Sequence, residues 1–87
     1  MDRVAQINTL LDFARAIDIE VRHASLGGDG GGLCTIRGKR VLFVDTAADV
    51  ATRLEHTARA IAELPEIETH FIRPDIRELL ADYRPRA

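Results

Sequence analysis

The chain has 87 residues, of which 46% are hydrophobic and 30% charged, and this composition excludes an intrinsically disordered protein and favours one globular domain over residues 1–87. Twelve basic residues against fourteen acidic ones give a formal net charge of -2, which removes the bulk electrostatic attraction that most nucleic-acid-binding domains show. Nucleic acid is therefore disfavoured as a partner.

The sequence also bears on the compartment. No apolar stretch approaches the roughly 20 residues that a helix needs to span a bilayer, and the charged, amphipathic N-terminus does not resemble a signal peptide. The single cysteine, Cys34, cannot form an internal disulfide, which fits a reducing compartment. We therefore expect a cytoplasmic protein without a membrane partner.

The first segment predicts a helix followed by a strand. Asp2 lies near the start and Arg15 near the end, as the helix dipole prefers. Apolar residues recur at helical spacing, at Val4, Ile7, Leu10, Leu11, Ala14 and Ile17. From there the period changes to two, and charged residues alternate with Ile17, Ile19, Val21 and His23. This alternation is typical of a half-buried strand.

A glycine-rich segment separates this strand from a predicted hairpin. Five of the six glycines lie between Gly27 and Gly32. Beyond them, residues 33–37 and 40–45 flank Gly38-Lys39, which fits a type II′ turn and would place Cys34 opposite Phe43. The third strand is apolar on both faces, which predicts a central or doubly covered position.

The second half of the chain predicts two more helices. The segment from Thr46 to Asp49 fits a capping box, with Asp45 as the alternative cap. The helix that follows has its apolar side at Val50, Leu54, Thr57, Ala58, Ile61 and Leu64. Pro65 ends this helix, residues 67–72 could add a short fourth strand, and Pro74 begins a short C-terminal helix.

These elements predict an α+β fold in the order α-β-β-β-α-(β)-α. A three-stranded antiparallel meander, with the short fourth strand as an option, would pack against two long helices and the short C-terminal helix. In this arrangement the sheet would have one face with Cys34 and another with Leu33, Leu42 and Val44.

The most specific candidate for chemistry joins Cys34, His23 and Asp45. If Val21 pairs with Ile36, His23 faces Cys34 across neighbouring strands with Cβ atoms about 5 Å apart. A histidine can take the proton of a thiol and so make a nucleophile, while a carboxylate orients the imidazole. The favoured interpretation is nevertheless structural: Cys34 as a small buried hydrophobe, His23 at the edge of the core, and Asp45 as a helix cap.

The glycine run offers a second candidate, a small-ligand or nucleotide site at Gly28, Asp29, Gly30 and Gly31. The run matches neither of the common phosphate-binding patterns, and it leads into a strand and not into a helix N-terminus. It is better explained as a strand connection, because glycine tolerates positive φ. We expect no cofactor and no metal, since His23, Cys34, His56 and His70 lack ligand spacing.

The segment Gly31–Asp45 (GGLCTIRGKRVLFVD), followed by a helix, Leu64-Pro65 and the segment Pro74–Leu80, resembles a small family of uncharacterised bacterial proteins. The resemblance covers about the last two thirds of the chain. That family has no assigned activity, so the resemblance implies a bacterial, cytosolic origin and transfers no catalytic residue.

These observations favour a small non-enzymatic protein-interaction or accessory module that self-associates or binds a protein partner, most readily as a homodimer through the face of Leu33, Leu42 and Val44. The first alternative is a thiol-dependent enzyme or redox sensor that uses Cys34 with His23 and Asp45. The second is a ligand binder at the glycine run.

Overall fold

In a computed structural model, which describes residues 1–28 and 31–84, a three-stranded sheet has helices packed on one face. The elements in chain order are α1 (Arg3–Ala16), β1 (Glu20–Ala24), β2 (Gly32–Ile36), β3 (Lys39–Asp45), α2 (Val50–Ala62), a 3-10 helix (Pro65–Glu68) and α3 (Pro74–Ala81). The predicted α+β class and the three predicted helices are confirmed.

The sheet has the strand order β1-β3-β2, with β2 antiparallel and β1 parallel to β3. The predicted antiparallel meander is therefore wrong, whereas the predicted central position of the third strand is confirmed. A strand that is apolar on both faces gains most from a neighbour on each side. β1 therefore pairs with β3, and the connection from β1 to β2 has to pass the end of β3.

The hairpin between β2 and β3 turns one residue earlier than predicted. Its two central residues are Arg37 and Gly38, both with positive φ (52° and 80°), as a type I′ turn requires. Ile36 consequently pairs with Lys39, and Cys34 lies opposite Val41 instead of Phe43. This change of two residues leaves every side chain on its predicted face, because the side-chain period of a strand is two.

The helices cover the sheet face that contains Leu42 and Val44, and the core lies between these layers. Asp49 caps α2, since its carboxylate accepts a hydrogen bond of 2.7 Å from the backbone N–H of Thr52. The predicted capping box that begins at Thr46 and the alternative cap Asp45 are therefore both wrong. The core is formed mainly by Ile7, Leu10, Leu11, Ala14, Ile19, Leu42, Val44, Leu54, Ala58, Ile61, Ile67, Ile76 and Leu80.

The fourth strand that residues 67–72 could have added is not formed. Pro65 begins a 3-10 helix, and the chain then runs without strand pairing to Pro74, where α3 begins. Ile67 and Ile72 are each buried against the helices, at 2% and 8% exposure. These two buried side chains hold the connection against the core, so the segment does not depend on strand hydrogen bonds for its position.

An ion pair links β3 to the 3-10 helix that follows α2. The Arg40 guanidinium donates to both carboxylate oxygens of Glu66, at 3.0 and 2.6 Å, and to the backbone carbonyl of Ile17 at 3.2 Å. Both side chains are partly buried, and the pair has the bidentate geometry that makes such contacts strong. The hydrogen bond from Arg40 lowers the pKa of Glu66 below its usual value.

A lowered pKa in the folded state stabilises the protein above the unfolded-state pKa, and that contribution is lost as the pH falls through the folded-state value. We therefore expect Glu66→Gln to lower the urea midpoint at neutral pH. The difference from the wild type should shrink as the pH falls below the ordinary value of 4.5 and vanish only below the lowered folded-state pKa. Urea unfolding at several pH values measures this.

The matched control is Glu55→Gln, which removes the same charge from an exposed pair with Arg59 on α2, where the closest N···O distance is 3.8 Å. We expect this variant to follow the wild type at every pH. Equal midpoint losses in the two variants would contradict a specific contribution from Glu66.

Candidate functional site

The glycine-rich connection crosses the C-terminal end of β3. Ala24 at the end of β1 pairs with Asp45 at the end of β3, and Gly32 at the start of β2 lies opposite Phe43. The chain between them must therefore pass from one edge of the sheet to the other over the end of the central strand. A connection of this kind leaves backbone N–H groups above the strand end that need acceptors.

Asp45 supplies acceptors for this connection. Its side chain is buried, at 1% exposure, and Oδ1 accepts hydrogen bonds of 2.9 Å from the backbone N–H groups of Leu26 and Ala47. Oδ2 accepts one of 2.8 Å from Gly28. The buried carboxylate therefore holds the crossing segment to the end of β3, a structural role that the sequence interpretation did not anticipate.

The structure describes only part of the predicted ligand site at the glycine run, because Asp29 and Gly30 lie outside the described residues. The N–H of Gly28 is already bonded to Asp45. Gly31 has φ of 102°, and a Cβ at this position would lie 3.1 Å from the carbonyl oxygen of Phe43. These two glycines serve the close passage of the chain over β3, and ligand binding here stays a prediction.

The predicted pairing of His23 with Cys34 is wrong. His23 lies on β1 opposite Val44, whereas Cys34 lies on β2 opposite Val41, so the two are on the outer strands and on opposite faces of the sheet. Cys34 is exposed, which also contradicts its interpretation as a buried hydrophobe. The reactivity of Cys34 stays a prediction, now without the histidine that was expected beside it.

The sheet face predicted to contact another molecule is covered by the protein's own helices. Leu42 and Val44 are 0% and 2% exposed and belong to the core, and Leu33 packs against them. This surface cannot contribute to an interface unless the helices leave it. On the opposite face, Val41 is 1% exposed, Phe43 is half-buried and Cys34 is exposed, and none of the three belongs to the main core cluster.

A site that the sequence interpretation missed lies between α1 and α3. Here a pocket of about 280 Å³ has an apolar floor of Leu10, Ile61, Ile76 and Leu80. We call it the α1–α3 groove.

Two aromatic side chains line the α1–α3 groove, Phe13 on α1 and Phe71 on the segment before α3. Phe71 is 85% exposed, by far the largest exposure of a large apolar side chain in the described residues.

The neighbours of Phe71 explain why its ring is held outward. His70 packs edge-on against Phe13, with 6.2 Å between ring centroids and 87° between ring planes, and its Nδ1 lies 3.2 Å from the Glu66 carbonyl oxygen. Ile72 on the other side is buried in the core. With both neighbours anchored to the protein, the intervening Phe71 side chain is presented to solvent.

Comparison of the chain with protein-family models, curated proteins and solved structures gives no match.

Among the described residues, no group of three or more His, Cys, Asp or Glu side chains is placed to hold a metal ion. Within the same residues, no helix is both long enough and apolar enough to cross a bilayer. What distinguishes this surface is the α1–α3 groove with Phe71 on its rim.

The sequence does contain a signal for this site. Phe71 and Ile72 are adjacent, and in an extended segment adjacent side chains point in opposite directions. Where such a segment packs on the core with one side only, only one of the two side chains can enter the core. The pair therefore predicts one exposed apolar side chain, and the sequence interpretation as a strand overlooked that consequence.

Proposed function

We propose that this protein is a non-enzymatic protein-interaction module that binds an apolar side chain of a protein partner in the α1–α3 groove. The exposure of Phe71, at 85%, carries this proposal. An aromatic side chain in water forgoes about 1.5–3 kcal/mol of burial free energy. Large apolar side chains held in solvent beside an apolar groove are typical of surfaces that become buried in a complex.

The size and lining of the groove support binding of a side chain. Its volume of about 280 Å³ exceeds the roughly 150 Å³ of an apolar cavity that accepts benzene. The ionisable side chains among the described residues that line it are Asp12 and Arg73, and both stand on the rim. The floor consists of leucine and isoleucine, which supply contact area and no group for proton transfer.

The thiol-dependent enzyme has less support, because its three residues are dispersed. Cys34 and His23 lie on separate faces, and the Asp45 carboxylate is bonded to backbone N–H groups of the crossing segment. We also propose a cytoplasmic location, since an exposed cysteine without a disulfide partner is best kept reduced there.

The test blocks the groove without touching Phe71. Ala16 is exposed at the end of α1 and lines the groove, so Ala16→Phe should fill it. Quantitative capture from a lysate of the source organism should retain a defined protein on the wild type and at least tenfold less on Ala16→Phe, the factor that corresponds to one buried apolar side chain.

Ala51→Phe is the matched control, because Ala51 is an exposed alanine on α2 that does not line the groove. It should retain the same protein as the wild type. Identical capture by all three proteins, or no capture above bare resin, would contradict the proposed function.

A further inference from the structure

Resting on the proposed function of the α1–α3 groove, we infer that the side chain it takes is Phe71 of a second copy of this chain, exchanged reciprocally in a two-fold dimer. A two-fold interface uses the same surface on both copies, so that surface must contain both the group that inserts and the site that receives it. Phe71 and the groove stand side by side and meet this condition.

The inserting group and the receiving site also agree in size and chemistry. The groove has room for a phenyl ring, yet the molecule's own Phe71 leaves it open and remains 85% exposed. In the other copy the ring would meet Leu10, Ile61 and Leu80 on the floor and Phe13 on α1. An aromatic pair with Phe13 adds the edge or offset contacts that such rings prefer.

Charge on the rims distinguishes a second copy from other partners. Asp12 on α1 and Arg73, two residues after Phe71, both line the groove. A Phe71 ring seated in the groove of the other copy brings Arg73 toward that copy's α1 rim, where Asp12 lies. The two-fold axis forms this pair twice, so the surface is complementary in charge to itself.

Both side chains are free to change partners. Asp12 is 79% exposed in a single contact of 3.4 Å with Arg15. Arg73 is 55% exposed and donates two hydrogen bonds, of 3.2 and 3.1 Å, to the exposed Asp75 at the start of α3. Exposed pairs of this kind contribute little to stability. Replacing them by pairs across an interface therefore costs the monomer little, and the exchange is reversible.

The interface is small. The surface area buried by two phenyl rings and the groove rims around them is near or below about 1,200 Å², the lower end of the range for stable complexes. We therefore expect a dimer in the micromolar range. Sedimentation equilibrium on the purified chain, up to about 500 μM, should show a concentration-dependent mixture of monomer and dimer.

Phe71→Ala should weaken the dimer at least tenfold and leave the urea midpoint of the monomer unchanged, because the ring makes few contacts within its own chain.

A second test exchanges the charges of Asp12 and Arg73. Asp12→Arg and Arg73→Asp should each weaken dimerisation through like charges, and the double variant should restore it to within about threefold of the wild type. Glu55→Arg on the exposed side of α2 is the control and should have no effect.

A wild type that stays monomeric to about 500 μM, or a dimer indifferent to Phe71→Ala, overturns the inference. Failure of the double swap to restore the dimer overturns the two-fold arrangement. If the chain is monomeric and Ala16→Phe still abolishes capture of another protein, the proposed function holds and only the second copy is excluded as the occupant.

Discussion

Replacing Asp45 with asparagine should lower the free energy of unfolding by about 3 kcal/mol or more, because hydrogen bonds to a buried charged group contribute roughly 1.5–3 kcal/mol each. The asparagine amide has nearly the same shape, but it presents an NH₂ group where Asp45 presents an acceptor to Leu26, Ala47 or Gly28. At least one backbone N–H of the crossing segment would then face another donor in a buried site.

Urea unfolding measures this loss, and amide hydrogen exchange locates it. Exchange at whichever of Leu26 and Gly28 faces the new NH₂ group should accelerate more than exchange in the helices, because that amide loses its acceptor directly. Asp49→Asn is the matched control. Asparagine caps a helix as well as aspartate does, so the same substitution four residues later should leave the urea midpoint nearly unchanged.

Equal losses in the two variants would show that the effect follows from removing a negative charge near the start of α2 and not from the crossing segment. Unchanged exchange at Leu26 and Gly28 in Asp45→Asn would contradict the hydrogen bonds themselves.

Helices were the part of the fold that the sequence predicts well. Their apolar spacing, the prolines at positions 65 and 74, and the acidic residue before α1 act within one or two turns, so they are legible along the chain. The cap of α2 is the exception, since it is Asp49 and neither Thr46 nor Asp45. Strand pairing is decided over longer distances. A hairpin between β1 and β2 is the nearest local solution, yet it would leave β3, apolar on both faces, at an edge.

The glycine run favours the observed pairing of β1 with β3 over a hairpin of β1 with β2. A tight hairpin needs two to five connecting residues with defined φ, whereas the longer glycine-rich segment can cross the end of β3 and leave it between two partners. The apolar third strand and the glycine run are both visible in the sequence, but a glycine run that simply connects neighbouring strands β1 and β2 predicts His23 beside Cys34. Once β1 pairs with β3, that pair of side chains separates.

The candidate site was missed because exposure is a property of the assembled layers. Residues 70–72 have no regular periodicity, and only the packing of His70 on Phe13 and of Ile72 in the core determines that Phe71 points outward. The sequence predicts contact with another molecule at Leu33, Leu42 and Val44. Their spacing shows that they share one face of the sheet, but it does not show whether that face is covered. In the folded chain they form the inner side of the sheet.

Leu42→Ala distinguishes these two surfaces, with an expected loss of about 3–4 kcal/mol in the free energy of unfolding. Leu42 is 0% exposed at the middle of the central strand, between Val21 and Leu33 on the neighbouring strands and beneath the helices, so its truncation leaves a cavity that the surroundings cannot fill. Cys34→Ala, on the exposed edge strand, is the control and should change stability by less than about 0.5 kcal/mol.

The same variant separates folding from association. In the fraction of Leu42→Ala that remains folded, self-association should be as strong as in the wild type, because Leu42 lies inside the molecule and the α1–α3 groove is intact. Phe71→Ala should show the reverse, full stability with weakened association. A Leu42→Ala protein that is stable but no longer associates would place the interface on the sheet face, and the helices would then have to leave that face before two copies could meet.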